Sequence, residues 1–149
     1  MKLTMRVDVD VPPETVFEAA TDWERQGEWI LATTVRVLRG DGRSVGSEME
    51  AVTGISGVGV ADRMRITVWQ APVRCEVAHL GRVVRGIGVF AVQPRGRDAA
   101  TFEWTEQLDL PLGMLGRLGR PLVRPIFSWG LRRSLDRFAD FCRTYQRAR

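Results

Sequence analysis

The sequence predicts an α+β domain in which a curved antiparallel sheet of seven strands holds one long C-terminal helix. Most of residues 34–109 alternate like strands joined by short turns, a pattern typical of antiparallel pairing. A helix of about eight turns closes the chain, with one apolar stripe and one arginine-rich face. Because the strands supply the apolar surface which that stripe needs, the sheet is expected to curl around the helix.

The first part of the chain predicts one strand followed by two short helices. Residues 2–11 alternate between apolar and polar side chains, which indicates a half-buried strand. A Pro-Pro pair ends the strand and suits the first turn of a helix over residues 13–21, where no proline N–H is needed. A second short helix is predicted over residues 23–29, and it carries two tryptophans.

Six further strands are predicted from alternation and from the glycines, prolines and aspartates between them. Their ranges are 34–39, 45–53, 61–70, 73–80, 85–93 and 99–109. The segment Gly54–Gly59 is interpreted as a mobile break at a cavity mouth, with a plain turn as the alternative. Trp69 is out of phase with Met64 and Val68, so it is expected on the outer face of the sheet.

The predicted C-terminal helix has an apolar stripe at steps of three and four residues. The stripe consists of Phe127, Leu131, Leu135, Phe138, Cys142 and Tyr145. The opposite face carries Arg132, Arg133, Arg137, Arg143 and Arg147. Pro121 and Pro125 are expected to kink the helix or to split it near residue 125.

Length and composition fit one soluble globular domain over residues 1–149. No apolar run approaches the roughly 20 residues of a membrane span, and the N-terminal residues lack the apolar core of a secretory signal. A cytoplasmic location is therefore expected, with Cys75 and Cys142 as buried, reduced thiols. Residues 112–149 hold nine arginines and two aspartates. The arginines lie where a helix packed on one side exposes its polar face, and aromatic residues do not interleave with them. We therefore expect a solvated helix face rather than a nucleic-acid binding surface.

Several segments of the chain resemble a known family. They are Val9–Phe17, Asp22-Trp23 with Trp29, Gly86–Val92 and Phe102–Glu106, together with the arginine-rich terminal helix. The whole chain is similar to the helix-grip fold of the START-like (SRPBCC) superfamily, and within it to the bacterial polyketide cyclase/dehydrase-like group. The resemblance implies a cavity between sheet and long helix that holds lipids, sterols, polyketides or hormones. Some members of this superfamily also cyclise aromatic polyketides, so the resemblance extends to that activity.

Two polar residues, His79 and Glu106, lie on strand faces that otherwise point inward. Burying a neutral polar group without a partner costs roughly 2–7 kcal/mol, so each is expected to have a partner or a wet pocket. Each is a candidate catalytic acid or base, since a cyclase needs a base that assists enolisation. The structural alternatives are a satisfied histidine and a glutamate paired with Arg85 or Arg124. The sequence has no other histidine and no cluster of metal ligands, so neither a metal nor a cofactor is predicted.

Aromatic, methionine and aliphatic residues are expected to form an adaptable wall around a hydrophobic ligand. The predicted ligand-contacting residues are Trp23, Trp29, Met49, Met64, Ile66, Val68, Val77, Phe90, Phe102, Trp104, Phe127 and Leu131. The predicted function is binding of a lipid-like or polyketide-like molecule between the sheet and residues 115–131, with cyclase or dehydrase activity left open. The alternative is a protein-interaction or assembly module with a filled core, and a homodimer stays open.

Overall fold

The computed structural model describes residues 1–55, 58–82, 84–109 and 120–145, with side chains described from residue 124 onward in the last range. The strands are β1 (Lys2–Val9), β2 (Thr33–Arg39), β3 (Glu48–Ile55), β4 (Val58–Gln70), β5 (Arg74–Leu80), β6 (Arg85–Pro94) and β7 (Ala100–Leu108). The helices are α1 (Pro13–Ala20), a 3₁₀ helix (Trp23–Glu28) and α2 (Arg120–Arg143). The predicted fold class is confirmed.

The seven strands form one antiparallel sheet in the order β1-β7-β6-β5-β4-β3-β2. Each strand from β2 to β7 pairs with its neighbour in sequence, and β1 pairs with β7. The edge strands are therefore β1 and β2, and the segment with α1 and the 3₁₀ helix connects them. Both short helices lie on the same side of the sheet as α2. Helix α1 contacts α2 directly.

The apolar stripe of α2 packs against the concave face of the sheet, as predicted. Its central members are buried, with Leu135 and Phe138 fully enclosed. On the opposite face the Arg132 guanidinium donates to the Arg6 carbonyl oxygen (3.1 Å), which ties the helix to β1. The helix continues through Pro125, so the predicted split is wrong; one missing backbone hydrogen bond near the helix start is tolerated when the following turns are well packed. None of the helices in the described ranges is both long and apolar enough to cross a bilayer.

The predicted break over Gly54–Gly59 is wrong for the residues that the structure describes. Gly54 and Gly59 face each other in the β3–β4 register, and the ladder extends to the pair Ile55 and Val58. A Cβ atom at Gly54 would lie 2.1 Å from the carbonyl oxygen of Val58, so glycine permits the close approach of the two strands. Residues 56 and 57 lie outside the described residues.

A bulge in β4 reverses the predicted orientation of two residues. The β4–β5 register shifts between Ile66 and Val68, so one extra residue changes the phase of the strand. The ring of Trp69 consequently packs against the core, edge-on to Phe17 at 5.1 Å between ring centroids. The predictions that Val68 points inward and that Trp69 covers the outer face are both wrong.

The two cysteines are free and buried, as predicted. Burial raises the pKa of the Cys75 thiol and of the Cys142 thiol to about 12. Because the thiolate is the reactive form, both side chains behave as small apolar groups.

Candidate ligand cavity and a buried Asp–His–Glu network

A cavity of about 460 Å³ lies between the concave face of the sheet and α2. Its wall takes side chains from the central strands, from the 3₁₀ helix and the loop after it, and from the first half of α2. Nine of the predicted site residues lie in this wall: Trp23, Met64, Val77, His79, Phe90, Trp104, Glu106, Phe127 and Leu131. The cavity contradicts the filled core that the alternative interpretation requires.

Five residues that were predicted to contact the ligand are absent from the described wall. They are Trp29, Met49, Ile66, Val68 and Phe102. Four of them are fully buried in the core, and Val68 is turned away by the bulge in β4. An inward-facing position is therefore necessary for contact with the cavity but not sufficient, because neighbouring side chains cover part of the concave face.

Sequence reasoning missed a second group of wall residues, most of them small or polar. The group includes Thr33, Val35, Ala51, Thr53, Val60, Asp62, Cys75, Gly88, Leu108 and Ser134. Asp62 is the most consequential omission, and period-two alternation could have found it because it shares the face of Met64 on β4. The small residues show no such pattern in the sequence. Whether a small side chain lines a cavity depends on whether its neighbours in space fill the gap beside it.

Three strands of the sheet bring together an Asp–His–Glu network, defined here as Asp62 of β4, His79 of β5 and Glu106 of β7. His79 Nδ1 lies 2.8 Å and 3.0 Å from the two carboxylate oxygens of Asp62. His79 Nε2 lies 2.8 Å from Glu106 Oε2. The other oxygen of Glu106 accepts a hydrogen bond from Trp104 Nε1 at 2.9 Å. The Glu106 partners are thus His79 and Trp104, not the arginines that the sequence suggested.

The network crosses β6 at a glycine. Gly88 is the register partner of both Val77 and Glu106, and it stands between the strands that carry His79 and Glu106. A Cβ atom at Gly88 would lie 3.1 Å from Glu106 Oε1 and 3.2 Å from His79 Nε2. Glycine therefore leaves the space in which the histidine and the glutamate meet.

The network holds His79 as a cation. Burial by itself lowers the pKa of an imidazole, but hydrogen bonds to the Asp62 and Glu106 carboxylates and their charges raise the pKa of His79 to about 10. At neutral pH both ring nitrogens therefore carry protons and donate, one to each carboxylate. The arrangement places a proton donor and two proton acceptors within hydrogen-bond distance of one another in an otherwise largely apolar wall.

The structure leaves the chemical role of these residues as a prediction. It shows that His79 and Glu106 share one network in the cavity wall, which is the placement that acid–base chemistry requires. Among the described residues, no group of histidine, cysteine, aspartate and glutamate side chains is arranged to hold a metal ion.

Comparison with known proteins agrees with this architecture. The family model described as polyketide cyclase / dehydrase and lipid transport matches residues 1–142. A protein from Thermus thermophilus superposes with a TM-score of 0.81 at 17% identity, covering 95% of this chain and 97% of its own. The Zhui aromatase/cyclase from a Streptomyces species has a TM-score of 0.81 at 13% identity, with coverages of 99% and 96%.

A START superfamily protein from Mycobacterium smegmatis is similar as well, with a TM-score of 0.77, 14% identity and coverages of 95% and 97%. These structural likenesses show a shared fold. No curated protein sequence matches the chain. The family match spans nearly all of the sequence and the fold agrees with it. The chain therefore belongs to the polyketide cyclase / dehydrase and lipid transport family.

Proposed function

We propose that this protein binds an apolar small molecule, lipid-like or polyketide-like, in the cavity between the sheet and α2. The observation that carries the proposal is a wall that is largely aliphatic and aromatic but contains one buried charged network. Binding pockets for small molecules combine these two features, since apolar area supplies affinity and a few placed polar groups fix orientation. Membership of the family supports the same function.

Two tryptophans allow binding to be measured directly. Trp23 and Trp104 line the cavity, whereas Trp129 of α2 is 65% exposed. Titration with aromatic polyketides, sterols and long-chain alcohols should produce a saturable change in tryptophan fluorescence together with a thermal shift. The Trp104→Phe variant should lose much of the fluorescence change, and Trp129→Phe should keep it. A panel that gives neither saturation nor a thermal shift would count against the proposal.

A second function, proton transfer of the cyclase or dehydrase type, is favoured by the Asp–His–Glu network. In an enolisation, a carboxylate of Asp62 or Glu106 takes the proton from the carbon next to a carbonyl group. The C–H electron pair then forms the carbon–carbon double bond, and the carbonyl electrons move to oxygen. The positive charge of the His79 imidazolium stabilises the negative charge that develops, and the carboxyl group that took the proton from carbon can deliver it to this oxygen. The similarity to an aromatase/cyclase fold supports this chemistry.

The proton-transfer step is testable without the natural substrate. The apolar ketone 2-tetralone has exchangeable protons next to its carbonyl group, and their exchange in D₂O is visible by NMR. The protein should accelerate this exchange, and Glu106→Gln or Asp62→Asn should reduce the acceleration at least about tenfold. A Glu50→Gln variant, which changes a carboxylate that pairs with Arg36 away from the cavity, should leave it unchanged. Exchange no faster than in buffer would remove the catalytic proposal and leave ligand binding intact.

A further inference from the structure

The unused hydrogen-bonding capacity of the Asp–His–Glu network consists of acceptors. Both N–H groups of His79 are engaged with carboxylates, and the Trp104 N–H is engaged with Glu106. A carboxylate offers about four lone-pair sites, so Asp62 and Glu106 together offer far more acceptor sites than these three N–H groups fill. A ligand that reaches the network meets lone pairs and negative charge.

The cation that the rest of the described wall contributes is the Met1 ammonium, at the Leu108 end of β7. No lysine or arginine side chain contributes to the wall within the described ranges. Thr33 Oγ1 donates to the Leu31 carbonyl oxygen and lies 2.9 Å from Thr53 Oγ1, so these two hydroxyl groups are paired with protein atoms. The Met1 ammonium donates to the carbonyl oxygen of Leu108, the Gln26 amide donates to the carbonyl oxygen of Ala20, and Ser134 Oγ accepts from the Leu31 N–H, so these polar groups are also engaged with protein atoms.

We infer that the ligand presents a hydrogen-bond donor, a hydroxyl or an ammonium group, to Asp62 and Glu106, and that carboxylate ligands such as free fatty acids are rejected. The inference rests on the proposed function and specifies the polar end of the ligand. A donor fills a lone pair that the ligand's apolar body would otherwise desolvate, whereas a carboxylate adds a further negative charge to a network in which two carboxylates already face one imidazolium. Unpaired buried charges cost several kcal/mol, so the discrimination should be large.

Asp62 is the group best placed to receive such a donor. Its side chain keeps 18% of its surface exposed, compared with 4% for His79 and 11% for Glu106, and both of its oxygens contact a single N–H. Each Asp62 oxygen therefore retains a free lone pair in a carboxylate that is still accessible from the cavity. The His79 imidazolium holds that carboxylate in place, which orients its free lone pairs before a ligand arrives.

Four naphthalene compounds with one apolar body separate donor recognition from apolar binding. They are naphthalen-2-ylmethanol, its methyl ether, naphthalen-2-ylmethylamine and 2-naphthoate, with affinities measured by calorimetry at pH 7. The alcohol and the amine should bind at least about tenfold more tightly than the ether and the naphthoate. Naphthoate or ether binding as tight as that of the alcohol would overturn the inference while the proposed function stands. No binding by any of the four would defeat both.

The double variant Asp62→Asn/Glu106→Gln tests whether the two carboxylates cause the discrimination. It removes the negative charges and introduces amide N–H donors, so naphthoate affinity should rise about tenfold while that of the ether stays the same. Glu50→Gln, with its carboxylate paired to Arg36, serves as the control and should preserve the order of affinities. If the double variant does not fold, the single variant Asp62→Asn, which keeps the His79–Glu106 hydrogen bond, should narrow the gap between alcohol and naphthoate. An unchanged gap would contradict the inference.

Discussion

Two regions between the sheet and α2 differ in how completely side chains fill them. In the first, the rings of Trp29, Phe102 and Phe138 are fully buried and pack with centroid distances of 4.4 Å to 6.3 Å. In the second, small residues such as Ala51 and Gly88 stand on the same concave face, and the cavity remains open. We call these the aromatic cluster and the cavity region.

Alternation and side-chain volume act at different levels in these two regions. Period-two alternation decides which residues of a strand face α2, and it does so equally in both regions. Side-chain volume then decides whether the facing surfaces meet, because protein interiors close only when complementary atoms are present. Phe90 and Trp104 contact the aromatic cluster and also line the cavity, so they form the boundary between the two regions.

Truncation should expose the contrast most clearly. Phe102→Ala removes a ring from a fully packed site and should lower the free energy of unfolding by about 3–5 kcal/mol. Val77→Ala removes atoms that already face open space, so its cost should stay below about 2 kcal/mol. Urea denaturation of both variants measures the difference. Equal costs would show that the cavity region is as tightly packed as the aromatic cluster.

A matched pair of tryptophans isolates the contribution of one hydrogen bond at the boundary. Trp104 Nε1 donates to Glu106, whereas Trp29 Nε1 is buried with no hydrogen-bond partner among the described residues. Replacing either residue with phenylalanine removes the same atoms, but only Trp104→Phe takes a donor from a carboxylate. Trp104→Phe should therefore cost about 1.5–3 kcal/mol more than Trp29→Phe. Thermal and urea denaturation measure the loss of stability in each variant. A loss in Trp29→Phe that equals or exceeds the loss in Trp104→Phe would contradict the prediction.

The sequence predicted the fold because the relevant patterns are local. The alternation of β1, the proline-initiated α1 and the stripe of α2 each need only neighbouring residues, and all three are confirmed. The orientation of Val68 and Trp69 was wrong because a bulge depends on the pairing with β5, which no local pattern reveals. The partners of His79 were missed for a similar reason. Asp62 and Glu106 lie 17 and 27 residues away along the chain, and only the strand register brings them to the imidazole.

The charge on His79 should make the cavity region sensitive to pH in a range where the aromatic cluster is not. The folded chain holds the His79 proton up to a pKa of about 10, against about 6.5 when unfolded. Its contribution to the free energy of unfolding is thus complete below about pH 6.5 and is lost as the pH rises to about 10. Within that window the slope should approach about 1.4 kcal/mol per pH unit.

His79 is the single histidine of the chain, so its ring signals in an NMR titration are unambiguous. They should stay constant from about pH 5 to pH 8 and shift only toward the folded pKa. The Asp62→Asn/Glu106→Gln variant removes both carboxylates, so the pKa of His79 should fall well below the value of about 10 in the unmodified protein. Midpoints near the ordinary imidazole value in the unmodified protein would show that the network does not hold the proton.

Adding volume should affect the two regions in opposite ways, although it changes stability less than truncation or loss of the histidine proton does. Ala100→Leu inserts atoms at a fully buried site that does not line the cavity, and overpacking should cost about 1–3 kcal/mol. Ala51→Leu places the same atoms in the cavity wall, so the free energy of unfolding should change by less than about 0.5 kcal/mol. Ligand titration of the same two proteins completes the comparison. Ala51→Leu should lose affinity because it occupies the space that the ligand needs, whereas Ala100→Leu should keep its affinity as long as it is folded.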